Sequence, residues 1–158
     1  GLNTDQTGKV NYFSKASQHS HAVRNEKVHC VQRALRKPEL FGGREEGDVL
    51  IVGWGSAKGA VEEAVSYCQN AGLAVGGMCL RFVNPLPLML KEIFAKFKKV
   101  VTVELAYGDP CKRPPLAMIL RDHTLVDVQP LICRVTGRPM TPRTIETKVK
   151  ELFHAGVA

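Results

Sequence analysis

The chain switches repeatedly between two hydrophobic periods, and this alternation limits what it can fold into more than any other feature. Val49-Leu50-Ile51-Val52 is an unbroken apolar run, as expected of a strand covered on both faces. Behind it, Ala57, Ala60, Val61, Ala64, Val65 and Cys68 share one face of a helix, while Lys58, Glu62, Glu63, Gln69 and Asn70 take the other. Gly72 follows as a helix-ending residue. A second strand is predicted within LAVGGMCLRF, residues 73–82, after which Pro85 and Pro87 introduce a helix with Leu90, Ile93, Phe94 and Phe97 inward. VVTVEL, residues 100–105, reads as a third strand, Pro114 and Pro115 start the helix PLAMILRD, and LICRV, residues 131–135, is a fourth strand. Thr141 and Pro142 supply an N-cap and a first helical residue for a last helix that turns Ile145, Val149 and Leu152 inward. Four strand–helix repeats with short links predict a three-layer α/β/α domain with a mostly parallel sheet.

The N-terminal part is different. Residues 1–22 are polar without a sustained period and read as a strap, and residues 23–37 read as a helix with Val28, Val31 and Leu35 on one face, closed by Pro38. The loop FGGREEGD then leads into the first strong strand. The expected division is a linker with a helix over residues 1–47, joining to an upstream domain, and an α/β domain over 48–158. The start GLNTDQTGKV carries neither an initiating Met nor a signal pattern, so the chain is expected to be part of a longer protein.

Charge and cysteines narrow the function classes. The net charge of +7 is spread as +2 over residues 1–48, +2 over 49–98 and +3 over 99–158. A nucleic-acid reader concentrates basic residues in a stripe with aromatics between them, and no such stripe is present. No apolar run approaches the roughly 20 residues of a membrane span. Cys30, Cys68, Cys79, Cys111 and Cys133 lack the close spacing of zinc or iron–sulfur ligands. They suit free thiols of a cytoplasmic protein, with at least four of the five as small core residues. His19, His21, His29 and Cys30 fall close together, but with His19 and His21 ahead of the helix and His29 within it no rigid metal spacing unites them, and no metal is expected.

The turn GWGSAKG raises the main functional question. A Walker loop fails, because the order is Lys58-Gly59 and the hydroxyl of Ser56 comes too early. A dinucleotide turn fits at Gly53 and Gly55, but the third glycine is one place late at Gly59. Residues 74–80 also lack the acid that would hold a ribose, and the first charged side chain is Arg81. The residues favour a corner: Gly53 and Gly55 for the tight turn, Ser56 as helix cap, Gly59 for close helix–sheet packing, and Trp54 as a flat apolar surface at the strand's end. Gly53, Trp54, Gly55, Ser56 and Gly59 remain candidates for anion or ligand binding, with an NADP- or other nucleotide-binding module as the alternative function. Glu104 ends the third strand, where it can project into the cleft as a catalytic acid, or, the favoured readings, pair with Arg81 or cap a neighbouring loop. No residue is nominated as catalytic.

Taken together, DVLIVGWGSAKGAVEEAV, GLAVGGMCLRFVNPLP with Leu80, Arg81, Pro85 and Pro87, KFKKVVTVEL ending at Glu104, and TGRPMTPRTIETKVKEL resemble one known domain. It is the C-terminal, transketolase C-terminal-like domain of the α subunit of 2-oxoacid:ferredoxin oxidoreductases, particularly the 2-oxoglutarate type. GLNTDQTGKV with His21, Arg24 and Lys27 resembles the segment that joins it to the preceding pyrimidine-binding domain. After the glutamate, members of the family often continue with Asn and then Gly-Gln-Leu, whereas this chain has Leu105-Ala106-Tyr107-Gly108-Asp109-Pro110-Cys111-Lys112-Arg113.

The resemblance implies oxidative decarboxylation of a 2-oxoacid onto coenzyme A, with electrons passing to ferredoxin. Thiamine diphosphate, Mg²⁺ and iron–sulfur clusters are expected elsewhere in the complex, and none is expected to be bound by this chain. Its partners are expected to be the other domains and subunits of that complex, with no nucleic acid and no membrane. Its own role would be structural, with Arg81, Asn84, Pro85, Pro87 and Glu104 as candidate interface or cleft residues.

Overall fold

The computed structural model describes residues 3–107 and 113–156. The chain divides into two compact units, residues 1–36 with 82–88 and residues 37–81 with 89–158. In the first unit, helix α1 spans Ser14–Ala34. This corrects the sequence expectation: the helix begins nine residues before residue 23, so His19, His21 and His29 all lie on it. Nor does the Val28–Val31 side become an inward face, since no residue of α1 is buried. Ahead of α1 the chain turns back on itself around Asp5, whose Oδ1 accepts from Thr7 N at 2.8 Å and Lys9 N at 3.1 Å. Arg24 Nη2 donates to Asn3 Oδ1 at 2.6 Å, fastening this turn to the helix. At the other end, Gln32 Nε2 donates to Leu86 O at 2.8 Å, in the segment that contains the cis Asn84–Pro85 bond.

The second unit is built on strands β1 (Leu40–Phe41), β2 (Gly47–Trp54), β3 (Val75–Leu80), β4 (Phe97–Glu104) and β5 (Val128–Cys133). They lie in the order β1-β3-β2-β4-β5. All pairs are parallel except β1 with β3. The short β1, inside a stretch expected to be loop, pairs Leu40 with Met78 and Phe41 with Gly77, covering the outer edge of β3. The helices are α2 (Lys58–Asn70), α3 (Leu90–Phe94), α4 (Pro115–Thr124) and α5 (Pro142–His154). Phe97, expected on the third of these helical segments, instead opens β4, because the helix ends at Phe94 and only Ala95 and Lys96 separate the two. The fourth strand starts three residues earlier than expected, at Val128.

Strand alternation divides the core into two layers. Val49, Ile51, Val75, Val101, Val103 and Ile132 pack with Val61, Ala64, Val65 and Cys68 of α2 and with Ile145 and Val149 of α5. Leu50, Val52 and Thr102, of the other parity, face the side of α3 and α4 and are fully buried. That is why the strands read as continuous apolar runs. α2 approaches the sheet closely because two strand positions lack a side chain. A Cβ on Gly77 would meet Val65 Cγ2 at 2.6 Å, and one on Gly53 would meet Val61 Cγ2 at 3.1 Å.

α2 and α5 are joined at the surface as well. The Arg143 guanidinium lies 4.2 Å from the Tyr67 ring centroid, and Glu146 accepts from Arg143 Nη1 and Lys150 Nζ, both at 2.8 Å. The hydrogen bonds from Lys150 and Arg143 hold the Glu146 carboxyl below its ordinary range. Thr141 caps α5 as expected, its Oγ1 accepting from Thr144 N at 3.3 Å.

Two outcomes follow for stability. Gly77→Ala should lower the urea midpoint, by about 1–3 kcal/mol of overpacking, while Gly59→Ala, whose Cβ meets nothing within 4 Å, should be neutral or stabilising by up to about 1 kcal/mol. Because the folded pKa of Glu146 lies below its unfolded value, its contribution is complete above the carboxylate range and lost as pH falls through it. Glu146→Gln should therefore flatten the pH dependence of the midpoint between about pH 5 and 3.

Candidate functional site

The strand order sets the place to look. From β2 the chain crosses to β3 on one side, then returns past β2 to β4 and β5 on the other. In open α/β sheets the crevice at such a reversal, beyond the strand carboxyl ends, is where ligands collect. Here it is bounded by Trp54 and Gly55 after β2 and by Glu104 at the end of β4. Gly53 is paired with Val103 on β4 and with Cys79 on β3.

The corner after β2 turns on one residue. Gly55 has φ +57°, a left-handed conformation that suits glycine, and Gly55–Ala57 form a single 3₁₀ turn before α2 begins. Two sequence assignments are corrected. Ser56 is exposed and caps neither the 3₁₀ turn nor α2, because it sits inside the turn and not ahead of it. Gly59 does not enable close packing: it points to open space, and Gly53 and Gly77 take that role. Trp54 is 37% exposed and lies on the α4 side of the sheet by strand parity. Cys79 Sγ lies 4.0 Å from Gly55 O, and burial pushes its thiol pKa up.

Glu104 is fully buried, and its carboxylate is engaged inside the fold. Oε2 accepts from Leu116 N at 2.9 Å, and Oε1 accepts from Thr102 Oγ1 at 3.2 Å. The sequence explains the first bond. Pro114 and Pro115 have no N–H, so Leu116 offers the first backbone donor of α4, and a carboxylate is favoured at that positive helix end. The backbone of Glu104 is used too, its O accepting from Arg134 N at 3.3 Å after β5. One residue thus ties β4, α4 and the chain leaving β5. Of the three alternatives left by the sequence, capping is the one the geometry takes. No Glu104–Arg81 ion pair forms, since β3 and β4 lie on opposite sides of β2.

The other candidates are distributed. Arg81 is exposed, one residue past β3 at the same sheet edge. Asn84 is exposed, Pro85 half-buried and Pro87 buried, and all three belong to the first unit. The cysteines do not share one environment. Cys68 is buried, with its thiol pushed up to about 11 by desolvation. Cys79 and Cys133 are half-buried and Cys30 is exposed on α1, so fewer than the expected four are core residues among those described. Cys111 and the Gly108-Asp109-Pro110 stretch lie outside the described residues. Among the described residues no group of three or more His, Cys, Asp or Glu is placed to hold a metal ion, and no helix is long and apolar enough to cross a membrane.

Residues 47–145 match the family model described as pyruvate:ferredoxin oxidoreductase core domain II. The chain belongs to this family. Over 97 residues it is 38% identical to the 2-oxoglutarate oxidoreductase subunit KorA of Mycobacterium tuberculosis, covering 60% of this chain and 14% of that protein. Over 136 residues it is 28% identical to the α subunit of 2-oxoacid:ferredoxin oxidoreductase 2 of Aeropyrum pernix, covering 84% of this chain and 20% of that protein. The solved 2-oxoglutarate:ferredoxin oxidoreductase of Magnetococcus marinus, with 2-oxoglutarate, coenzyme A and succinyl-CoA bound, aligns with a TM-score of 0.84 at 30% identity. That alignment covers 95% of this chain and 25% of the other. A split-gene transketolase shares the fold at 22% identity and a TM-score of 0.51, over 67% of this chain and 38% of its own. The matched part thus makes up between about a seventh and a quarter of these three oxidoreductase relatives.

The site sequence reasoning missed is the Thr102–Glu104–Leu116 link. Its signal was present: Thr102 and Glu104 are two apart on one strand, hence on one face, ahead of a helix whose first N–H groups are deleted by prolines. Replacing Glu104 should test the link. Glu104→Leu should destabilise the fold by about 3 kcal/mol or more by leaving Leu116 N buried and unpaired, and Glu104→Gln, which keeps an acceptor, by about 1–2 kcal/mol. Equal losses in urea denaturation would show that the hydrogen bond contributes nothing.

Proposed function

We propose that this core domain II is a supporting, non-catalytic part of the α subunit of a thiamine diphosphate-dependent 2-oxoacid:ferredoxin oxidoreductase. The parent enzyme oxidatively decarboxylates a 2-oxoacid, 2-oxoglutarate by this reading, onto coenzyme A and passes the electrons to ferredoxin. Residues 1–47 join the α/β domain of residues 48–158 to an upstream domain, and the whole works in the cytoplasm. The observation that carries the proposal is the state of the switch-point crevice. Among the described residues, the carboxylate that ends β4, Glu104, is buried and already committed to Leu116 N and Thr102 Oγ1, so it is not presented to a substrate.

Among the described residues the thiols are dispersed over the fold. Cys68 and Cys79 lie on α2 and β3, Cys133 on β5 and Cys30 on α1, and iron–sulfur ligation needs thiolates brought close together. In this reading thiamine diphosphate, Mg²⁺ and the clusters belong to other domains and subunits, and no step of the reaction is routed through residues of this chain. Its contribution is positional. A rigid sheet whose edge is fixed by Glu104 holds neighbouring parts in register, and small misplacements from afar can cost large factors in rate. The domain's likeness to the 2-oxoglutarate enzyme of Magnetococcus marinus supports the choice of oxoacid.

The test is deletion of residues 48–158 from the full parent subunit, followed by measurement of complex assembly and of 2-oxoglutarate-dependent ferredoxin reduction. Loss of assembly, or turnover reduced by at least about tenfold, is the expected result. A truncated subunit that assembles and turns over like the intact one would remove the proposal.

A further inference from the structure

The strap ahead of α1 is a fastened hairpin, and it encloses a polar cavity against the helix. Asp5 N donates to Lys9 O at 2.9 Å, Gly8 N to Asp5 O at 3.1 Å and Asn11 N to Asn3 O at 2.9 Å, and Thr4 pairs with Val10 across the turn. Three side-chain bonds lay this hairpin along α1. Asn3 Nδ2 donates to Ser17 Oγ at 3.1 Å, Ser20 Oγ to Thr4 O at 3.5 Å, and Arg24 Nη2 to Asn3 Oδ1 at 2.6 Å. Between hairpin and helix lies a cavity of about 290 Å³, close to the lower bound of about 300 Å³ for small-molecule pockets. Of the eight residues that line it only Val23 is apolar, so it is no flaw in a hydrophobic core.

Two opposite charges line this cavity without closing on each other. They are Asp5 and Arg24, with His19 the only other titratable side chain on its wall. Elsewhere in the chain arginine meets carboxylate directly, as in Arg33–Glu26 at 2.6 Å and Arg143–Glu146 at 2.8 Å. Here each charge is held by neutral groups instead. Arg24 Nε donates to Ser20 O at 3.1 Å and Nη2 to Asn3 Oδ1. Among the described residues, the rest of its five N–H groups have no partner. Asp5 Oδ1 accepts from Thr7 N, Thr7 Oγ1 and Lys9 N, and among the described residues nothing bonds to its Oδ2. The Thr7 hydroxyl, with the Thr7 N–H behind it, holds this carboxyl below its ordinary range, so it is charged at neutral pH.

Charge complementarity selects the ligand. A simple anion beside Arg24 meets the Asp5 carboxylate in the same cavity, and a simple cation beside Asp5 meets the guanidinium. No lysine lines the cavity to shift this balance. A molecule with both a carboxylate and an ammonium group satisfies the two charges at once. The planar guanidinium offers paired N–H donors to a carboxylate, and the free Asp5 oxygen accepts from an ammonium group. Gln6 and His19 add an amide and an imidazole to the same wall.

We infer that the cavity between the strap and α1 binds a small amino acid as its zwitterion, with Arg24 taking the carboxylate and Asp5 the ammonium group. The site is built from residues 3–24 alone, and it stands whichever reaction the parent enzyme performs. The experiment is an NMR titration of the full 158-residue chain with glycine, β-alanine and γ-aminobutyrate, which differ only in the spacing of their two charged groups. Acetate and methylammonium serve as single-charge arms. At least one of the three amino acids should give saturating shifts of the His19 ring and Arg24 Nε signals, with a Kd of about 1 mM or lower. Acetate and methylammonium should each bind at least about tenfold more weakly.

Asp5→Asn keeps the Oδ1 acceptor of the turn and removes the charge, and Arg24→Gln removes the fork. Each should weaken the best-bound amino acid at least about tenfold. Val23→Phe, at a 42% exposed helix position, fills the cavity without altering either charge. It should abolish the shifts while the far-UV circular dichroism stays unchanged, which separates loss of the site from loss of the fold. No saturation by any of the three amino acids up to about 20 mM would overturn the proposal. So would acetate binding as tightly as the best amino acid, or undiminished binding in Asp5→Asn, since either result marks a plain anion site.

Discussion

The close approach of α2 to the sheet over Gly53 and Gly77 is the constraint on which the rest depends. Without a Cβ at those positions, Val61 and Val65 settle directly onto the backbone of β2 and β3. That contact fixes the depth at which α2 lies, and α5 packs on α2 through the same apolar layer. The dispersion and burial gained by so close a layer are sensitive to a single methyl group. The turn at Gly55 serves the same end, because it must reverse the chain within three residues to bring α2 back over the strand it has just left.

The opposite face of the sheet is organised around a polar contact. Glu104 sits where an open sheet would offer ligands a crevice, and it is used to finish the first turn of α4. A buried carboxylate is costly unless its charge is met by donors, and here the donors are a helix N-terminus and Thr102 Oγ1. The exposed groups of the domain lie on its outward surfaces.

Those surfaces are of two kinds. Along α1 the residues from His21 to Val31 are all exposed. At Leu125 an apolar side chain that is 83% exposed sits on left-handed backbone, φ 58°. The KorA and Magnetococcus marinus relatives are each about four times as long as this chain.

Much of the fold was legible in the sequence because periodicity is a local property. The run Val49–Val52, the face from Ala57 to Cys68, the paired prolines before α4 and the Thr141-Pro142 start of α5 each declare an element through neighbours a few residues apart. The family resemblance rested on those same elements. Errors fell where local pattern and tertiary need part company. α1 has almost no apolar period, so its first turns passed for a strap, and Phe97 fits a helical face as well as a strand. Ser56 looks like a cap only if the helix starts at the next residue, which the 3₁₀ turn prevents. Which glycine lets α2 approach, and which of three partners Glu104 takes, depend on strand order and on how far apart β3 and β4 lie across β2. The sequence determined the elements and their kind, because steric and hydrophobic preferences act over short range. Only the tertiary structure decided what the turn and the carboxylate do, because their partners are brought together from distant parts of the chain.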